Sequence, residues 1–247
     1  MGRSDQGITY ARAMSATLLL VHSPLVGPSS FRPVLELARD RGIEVRLPDL
    51  TGVASAAPTP WRRMVDVAVH CADGIDDLVV VGHSGAGAVL PQIAHRLGDR
   101  CSALIFVDAV VPPSSGAHRT AGRMLEFLDR LTVDGRLPAW IDWWPQDRVD
   151  AMVGSMAAQD ELRADMPHLQ RSFYDDAIPV PTGWSDAPCA YLQLSRAYDQ
   201  ERSDAAAFGW PSSTIDGTHL STYTDPSTVL DAVSGLVDQL LHRRAGG

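Results

Sequence analysis

Three short runs of apolar residues carry no alternating polar residues, and this pattern limits the possible folds more than any other feature of the chain. The runs are LLLV at 18–21, LVVV at 78–81 and ALIFV at 103–107. A strand that is apolar throughout is covered on both faces, whereas a half-exposed strand alternates. Helical patterns separate the runs, at 31–42, 61–75 and 86–100. We therefore expect an α/β fold with βαβ crossovers and a mostly parallel central sheet with helices on both faces.

Length, charge and cysteine content fit one large domain and exclude several kinds of partner. The chain has 247 residues, of which 45% are hydrophobic and 21% charged, as in ordinary globular proteins. Its net charge of −9 and the lack of a basic stripe argue against nucleic acid as a partner. No apolar run approaches the roughly 20 residues that span a bilayer, so no membrane partner is expected. Three widely spaced cysteines indicate reduced thiols in a cytoplasmic protein and no metal site.

The alternation of strands and helices stops after Pro112 and Pro113. The next stretch has helical patterns, four of the six tryptophans and no convincing strand before residues 189–195. Such an insertion is most simply a helical cap over a pocket. The expected division is a flexible tail at 1–16, a core at 17–113 and 187–247, and a cap segment at 114–186. The alternative, in which these helices pack on the sheet edge with their tryptophans as core, stays open.

Polar residues stand where the expected strands end. His22 and Ser23 follow the first run, Ser84 follows the second, Asp108 follows the third, and His219 follows PSSTI at 211–215. Ligands of open parallel sheets bind at the carboxyl ends of the strands, so these side chains are candidates for one site. Ser84, which lies between small residues in GHSGAG, is either part of a tight structural turn or a nucleophile.

Three motifs stand out: GHSGAG at 82–87, EVRLPDLTG at 44–52 and GTH at 217–219. They resemble those of the α/β-hydrolase superfamily, nearest its small capped esterase and hydroxynitrile-lyase-like branch. The last position of the G-x-S-x-G elbow is Ala86, which is still small enough for strand and helix to approach closely. The resemblance implies that Ser84 is the nucleophile and His219 the base that activates it.

The resemblance leaves two candidates for the acid that orients the histidine. Asp108 ends the strand after the elbow helix, where haloalkane dehalogenase relatives carry the acid. Asp199 follows the strand expected at 189–195, where most members carry it, but it could equally cap a helix. The spacing from the elbow favours Asp108, and both carboxylates remain candidates.

The groups that would stabilise an oxyanion depart from the family pattern. The amide of Gly85 is one expected donor. The second donor normally comes from the residue two after His22, which here is Pro24 and has no N–H. Either the Leu25 amide or the Ser23 hydroxyl would have to replace it.

Other residues are expected around the substrate. By the family pattern, His22 and His83 flank the mouth of the site as positioning residues, and Trp140 and Trp144 of the cap segment are expected to contact an apolar substrate.

Together these features predict a serine hydrolase that acts on an ester, lactone or thioester of a small apolar substrate, with no cofactor. A lyase or cyclase that uses the same triad without a stable acyl-enzyme stays open. The reason to consider it is that Pro24 has no N–H to stabilise an oxyanion. A non-catalytic binder that reuses the pocket also stays open, as does a homodimer.

Overall fold

A six-stranded parallel sheet forms the centre of the computed structural model, which describes residues 16–53 and 59–245. The described strands are β1 (Thr17–Val21), β2 (Val45–Arg46), β3 (Leu78–His83), β4 (Cys101–Val107), β5 (Ala117–His118), β6 (Ile178–Pro179), β7 (Cys189–Gln193) and β8 (Ser212–Thr214). The sheet order is β2-β1-β3-β4-β7-β8, and every neighbouring pair is parallel. Strands β5 and β6 form a separate antiparallel pair.

Helices alternate with the strands of the main sheet. The described α-helices are α1 (Arg32–Asp40), α2 (Pro60–Cys71), α3 (Leu90–Leu97), α4 (Gly122–Leu131), α5 (Gln146–Val153), α6 (Met156–Ala164), α7 (Asp199–Ala207), α8 (Ser221–Thr224) and α9 (Pro226–Ala245). None of the helices within the described ranges is long and apolar enough to cross a bilayer.

The strands bury both of their faces, as the unbroken apolar runs predict. Leu19, Val80 and Phe106 point to one side, into a cluster with residues of α2 and α3. Leu18 and Val79 point to the other side, into a cluster with residues of α1 and α9. Successive side chains of a strand alternate between faces, so an all-apolar strand needs helices on both sides. The predicted α/β fold class is confirmed.

Some elements differ from the sequence expectations. Strand β2 pairs over only Val45–Arg46 rather than 44–50, and Pro48 within the remainder has no N–H to donate to a neighbouring strand. The helix expected over 86–100 begins as a 3₁₀ turn at Ser84–Val89 and becomes α-helical at Leu90. Strands β5 and β6 were not expected, because two residues are too few to produce a periodic signal.

The expected tail lies almost entirely outside the described residues, which begin at Ala16. Ala16 itself is 1% exposed and packs in the core cluster on the α1 side of the sheet. The core therefore includes this last residue of the expected tail.

The cap segment packs on the loops that follow β1 and β8. Its residues Trp140 and Leu162 share one apolar cluster with Val26 and Leu220, which come from those two loops. A polar contact joins the same parts, because the Asp165 carboxylate accepts hydrogen bonds from Ser29 N at 2.9 Å and from Ser29 Oγ at 2.6 Å. The segment therefore lies at the carboxyl ends of the strands.

The turn between β3 and the following helix is tightly packed on both sides of Ser84. A Cβ atom on Gly82 would lie 2.7 Å from the Leu90 side chain, and one on Gly87 would lie 2.2 Å from the Val110 carbonyl oxygen. Both distances are too short for any side chain larger than hydrogen. Ser84 has a φ of 58°, a left-handed conformation that serine seldom adopts. The close packing of its glycine neighbours holds this strained turn in place.

Candidate active site

Ser84 lies at the carboxyl end of β3 and is 7% exposed. Its Oγ is 3.1 Å from the hydroxyl oxygen of Tyr198, and either group can be the donor. Among the described residues, no hydrogen bond joins Ser84 to His219. The serine hydroxyl is thus paired with a phenol in this structure.

Asp108 lies at the end of β4, beside Ser84, and also has a positive φ, of 42°. Its Oδ2 is 2.9 Å from His219 Nδ1 and accepts the Ser195 hydroxyl at 2.6 Å. Its Oδ1 accepts the backbone N–H groups of Leu194 at 2.8 Å and Ser195 at 3.1 Å. Because a carboxylate only accepts, His219 carries its proton on Nδ1 and leaves Nε2 free to accept one.

These contacts keep the carboxylate of Asp108 ionised although the residue is fully buried. Burial by itself raises the pKa of the carboxyl. The hydrogen bond and charge of His219 and the hydrogen bonds from Ser195 and Leu194 outweigh that effect, so the pKa lies below its usual value.

The structure brings Asp108, and not Asp199, to the histidine. Asp199 begins α7 and is exposed, and its carboxylate accepts a hydrogen bond from Gln193 Nε2 at 2.5 Å. Within the described residues it makes no hydrogen bond to His219. Strands β4 and β7 are neighbours in the sheet, which explains why both carboxylates follow strands that end near the site.

Three aromatic rings surround the His219 imidazole. The Tyr198 ring stacks on it with centroids 5.0 Å apart and an interplanar angle of 6°. The His83 ring lies 4.4 Å away at 32°, and the Trp140 ring lies 5.7 Å away at 46°. The imidazole therefore has little freedom to tilt, and its side chain is only 11% exposed.

His22 and His83 lie beneath the site rather than at its mouth, and both are fully buried. His22 Nε2 accepts the Leu50 N–H at 2.9 Å, so Nδ1 donates to the Ser23 carbonyl oxygen at 2.8 Å. His83 Nε2 donates to the His219 carbonyl oxygen at 2.9 Å. Each ring therefore positions a loop of the site, and neither is placed to contact a substrate.

The loop after β1 lies against the elbow on the side away from β4. The Pro24 ring lies 3.4 Å from the position that a Cβ on Gly85 would occupy, and Ser23 Oγ lies 3.9 Å from it. The Leu25 N–H donates to Ser23 Oγ at 3.2 Å. The Ser23 proton itself is donated to no acceptor among the described residues. Of the two groups considered for the missing donor, the Ser23 hydroxyl is therefore the unused one.

Comparison with known protein families identifies the family of this chain. The sequence model of the alpha/beta hydrolase family matches residues 18–232. The chain belongs to this family. The resemblance inferred from the elbow and histidine motifs is thereby confirmed.

A curated relative is similar to part of the chain. A carbendazim-hydrolysing esterase from Nocardioides sp. (strain SG-4G) is 30% identical over 105 residues. The aligned part is 39% of this chain and 43% of the esterase, so the similarity spans less than half of that relative.

Several solved structures share the fold of this chain. An extracellular alpha/beta-hydrolase from a Paenibacillus species has a TM-score of 0.72 at 16% identity and covers 90% of this chain and 98% of its own. A pyrethroid hydrolase from Sphingobium faniae JZ-2 has a TM-score of 0.66 at 19% identity, covering 90% and 97%. Polyneuridine aldehyde esterase has a TM-score of 0.67 at 15% identity, and the match covers 91% of this chain and 99% of the esterase. At these identities the likeness shows the fold.

Two tryptophans of the cap segment, Trp140 and Trp144, extend the group of aromatic rings around His219. Trp140 is 7% exposed and lies 5.8 Å from Trp144, at an angle of 71°. Trp144 stacks on Phe127 at 6.2 Å, and the Arg148 guanidinium lies 4.3 Å above its ring. The buried Trp144 Nε1 has no hydrogen-bond partner among the described residues. Trp184, by contrast, packs in the core 6.0 Å from Phe106.

The sequence did not point to Tyr198, although this residue contacts both Ser84 and His219 in the structure. Tyr198 is adjacent to Asp199, which the sequence analysis named as a candidate acid because most family members carry the acid in that turn. A lone tyrosine in a turn has no periodicity and belongs to no motif. The available signal was its place just after β7, at the edge of the sheet where the other site residues lie.

The buried histidines His22 and His83 predict a fold whose stability falls in acid. Burial and, as the next largest cause, the charge of His219 lower the pKa of His83 from 6.5 to about 3, and burial also lowers the pKa of His22. The unfolded chain therefore binds protons below pH 6.5 that the folded chain does not, and stability falls as pH drops from 6.5 towards 3. Each such histidine contributes up to about 1.4 kcal/mol per pH unit.

We expect His83→Gln, whose amide can still donate to the His219 carbonyl, to reduce this pH dependence. The free energy of unfolding, measured in urea between pH 7 and pH 4.5, should fall less steeply than in the wild type. His70→Gln is the control, because His70 is exposed. An unchanged slope in His83→Gln would mean that this ring does not resist protonation.

Proposed function

We propose that the protein hydrolyses an ester, lactone or thioester of a small apolar substrate, with Ser84, His219 and Asp108 as its catalytic triad. The observation that carries this proposal is the hydrogen bond between His219 Nδ1 and Asp108 Oδ2. It holds the imidazole in the tautomer that can accept a proton on Nε2, beside a serine in a strained turn. Ester hydrolysis is also supported by the esterases and hydrolases among the similar proteins.

In the acylation step, Ser84 Oγ attacks the carbonyl carbon of the substrate and its proton passes to His219 Nε2. The tetrahedral intermediate then collapses. The bond from carbon to the leaving oxygen or sulfur breaks, and the proton on Nε2 passes to the leaving group. The products of this step are a free alcohol or thiol and an acyl ester of Ser84. In this structure Ser84 is hydrogen-bonded to Tyr198 and not to His219. The Ser84 hydroxyl must therefore first turn from Tyr198 towards His219.

In the deacylation step, water gives a proton to His219 Nε2 and attacks the acyl carbon. The second intermediate breaks the bond to Ser84 Oγ, which takes the proton back from Nε2, and the carboxylic acid is released. Asp108 stays ionised in both steps and stabilises the imidazolium that forms each time. The depressed pKa of its carboxyl supports this role.

The negative oxygen of each intermediate is stabilised by the Gly85 N–H and the Ser23 hydroxyl. Pro24 has no N–H, and the Leu25 N–H already donates to Ser23 Oγ. The Leu25 N–H occupies a lone pair of Ser23 Oγ, so the hydroxyl proton of Ser23 points away from Leu25 and can be donated elsewhere.

The substrate contacts apolar and aromatic side chains. Leu25 packs on both apolar clusters of the cap segment, and Trp140 lies beside His219. An apolar group of the substrate would pack on this surface, while the Trp144 N–H could bind an acceptor atom. In this proposal, residues 114–186 act as the cap.

One observation favours a second candidate, a lyase or cyclase. Ser84 is hydrogen-bonded to Tyr198 rather than to the base, as expected of a serine that relays protons. His219 would then take a proton directly from the substrate, and no acyl-enzyme would form. Acid quenching during ester turnover, followed by mass spectrometry of the Ser84 peptide, separates the two: an acyl adduct supports the hydrolase, and its absence during steady turnover supports the lyase.

We expect Ser84→Ala to abolish ester hydrolysis while the protein stays folded. The loss in kcat should be about a thousandfold or more, because no other group can form the acyl ester. A fluorophosphonate probe should label the wild type on Ser84 and leave Ser84→Ala unlabelled. Full activity in the variant would refute the nucleophile, and an unlabelled wild type would support a non-catalytic binder.

Asp108→Asn and Asp199→Asn should differ sharply. An asparagine at 108 cannot balance the imidazolium charge and favours the wrong tautomer, so kcat should fall by about 10⁴-fold. Asp199→Asn changes the first turn of an exposed helix and should leave kcat nearly unchanged, which makes it the matched control. Equal and small effects on kcat from both substitutions would exclude a triad that contains either carboxylate.

Ser23→Ala should lower kcat about 100-fold with little change in KM, since the lost donor acts on the intermediate. Ser30→Ala is the control, because Ser30 is another buried serine of the same loop and donates to the Gly27 carbonyl. Pro24→Ala adds an amide where most family members have a donor. In that background the loss from Ser23→Ala should shrink. Unaltered kcat in Ser23→Ala would exclude the hydroxyl as a donor.

A further inference from the structure

The Tyr198 hydroxyl is the hydrogen-bond partner of the proposed nucleophile within the described residues. Its oxygen lies 3.1 Å from Ser84 Oγ, and its ring lies nearly parallel to the His219 imidazole. The triad chemistry described above requires no phenol at this position. The contact therefore needs a separate explanation.

The turn that carries Tyr198 is held by the same carboxylate that holds His219. Tyr198 is the last residue of a short 3₁₀ turn after β7, and its N–H donates to the Ser195 carbonyl at 3.2 Å. Ser195 in turn donates to Asp108 through both its N–H and its hydroxyl. Asp108 thus fixes the base and the phenol together, which sets their positions relative to Ser84.

The sheet order decides which side of Ser84 the phenol occupies. Strand β3, which carries Ser84, has β1 on one side and β4 on the other, with β7 beyond β4. Ser23 and Gly85, the proposed oxyanion donors, lie on the β1 side. Tyr198 and His219 lie on the β7 side. In a serine hydrolase, the leaving group departs on the side of the histidine that protonates it, so the phenol faces the leaving group.

The phenol keeps its proton over the working range of the enzyme. Burial raises the pKa of Tyr198 well above its usual value, the hydrogen bond to Ser84 lowers it only in part, and the nearby Asp108 and Glu201 carboxylates raise it further. A neutral phenol can donate a hydrogen bond to an oxygen that gains negative charge, and it does not act as a base.

We propose that Tyr198 is a catalytic residue that donates a hydrogen bond to Ser84 Oγ in the free enzyme and to the leaving-group oxygen during acylation. The inference rests on the proposed ester hydrolysis. As the carbon–oxygen bond breaks, the electron pair moves to the leaving oxygen, and the proton that neutralises it comes from His219 Nε2. Tyr198 keeps its own proton throughout and stabilises the partial charge before that transfer is complete.

This role predicts the substrate class. A hydrogen bond to the leaving oxygen accelerates acylation most when the alcohol is a poor leaving group. It accelerates acylation little for an aryl oxide, which departs unaided. The enzyme is therefore suited to esters of alkyl alcohols.

The test compares esters of one acyl group, butyrate, with alcohols of rising pKa: p-nitrophenol, phenol, trifluoroethanol and ethanol. The value of kcat/KM reports acylation in each case. In the wild type it should depend only weakly on the alcohol. In Tyr198→Phe, which keeps the stacked ring, kcat/KM for ethyl butyrate should fall about 100-fold, and that for the p-nitrophenyl ester less than about threefold. Tyr223→Phe is the control, because it removes a hydroxyl that contacts Glu161 at the surface.

The other outcomes contradict the inference. Equal losses for all four esters would make Tyr198 a positioning residue, and no loss would give it no role. A wild type that hydrolyses only the aryl esters would overturn the substrate class without use of any variant. Failure of the proposed function is separable, because the fluorophosphonate probe would then not label Ser84 in the wild type or in Tyr198→Phe.

Discussion

The buried carboxylate of Asp108 is the contact on which the rest of the site depends. It accepts four hydrogen bonds, from the Leu194 N–H, from the N–H and hydroxyl of Ser195, and from His219 Nδ1. The donors come from two separate loops, so one ionised group ties the ends of β4 and β7 to the loop after β8. An unpaired charge at this depth would be strongly unfavourable, and these bonds are what allow it to remain ionised. Loss of the carboxylate would therefore release two loops as well as one imidazole.

Two of the three non-glycine residues with positive φ in the described part of the chain belong to the candidate site, and the third is Asp134. Ser84 and Asp108 both have positive φ, and they end the neighbouring strands β3 and β4. Their loops are also joined directly, because the Val110 N–H donates to the Ser84 carbonyl at 3.2 Å. Such conformations persist only where the surroundings determine them, and here the surroundings are a sheet that is covered by helices on both faces. The stability of the core thus supports the geometry of the site.

The sequence was enough to predict the sheet and most of the residues at its edge, but not their contacts. Unbroken apolar runs indicate central strands, and a polar residue directly after such a run must lie at the carboxyl end of the sheet. The choice between Asp108 and Asp199 depends on the direction of each side chain at the ends of two adjacent strands, which no local pattern encodes. The family resemblance implied that His22 and His83 flank the mouth of the site as positioning residues. Both rings are instead buried, and their ring nitrogens bond to groups distant in sequence, the Leu50 N–H and the His219 carbonyl.

In the proposed triad, the position of the acid at the end of β4 explains why a phenol can reach the proposed nucleophile. In most family members the turn after the strand equivalent to β7 supplies the acid. Here that turn donates hydrogen bonds to an acid from β4, so its own side chains are free for another use, and Tyr198 fills the space beside Ser84. On the opposite side Pro24 removes an amide donor, and a hydroxyl is the group available to replace it. Hydrogen-bond donation around the reacting carbon is thus weaker on the oxyanion side and stronger on the leaving-group side. Because donation to the leaving oxygen helps most when the alcohol is a poor leaving group, this proposed distribution of donors matches the alkyl esters that we infer as substrates.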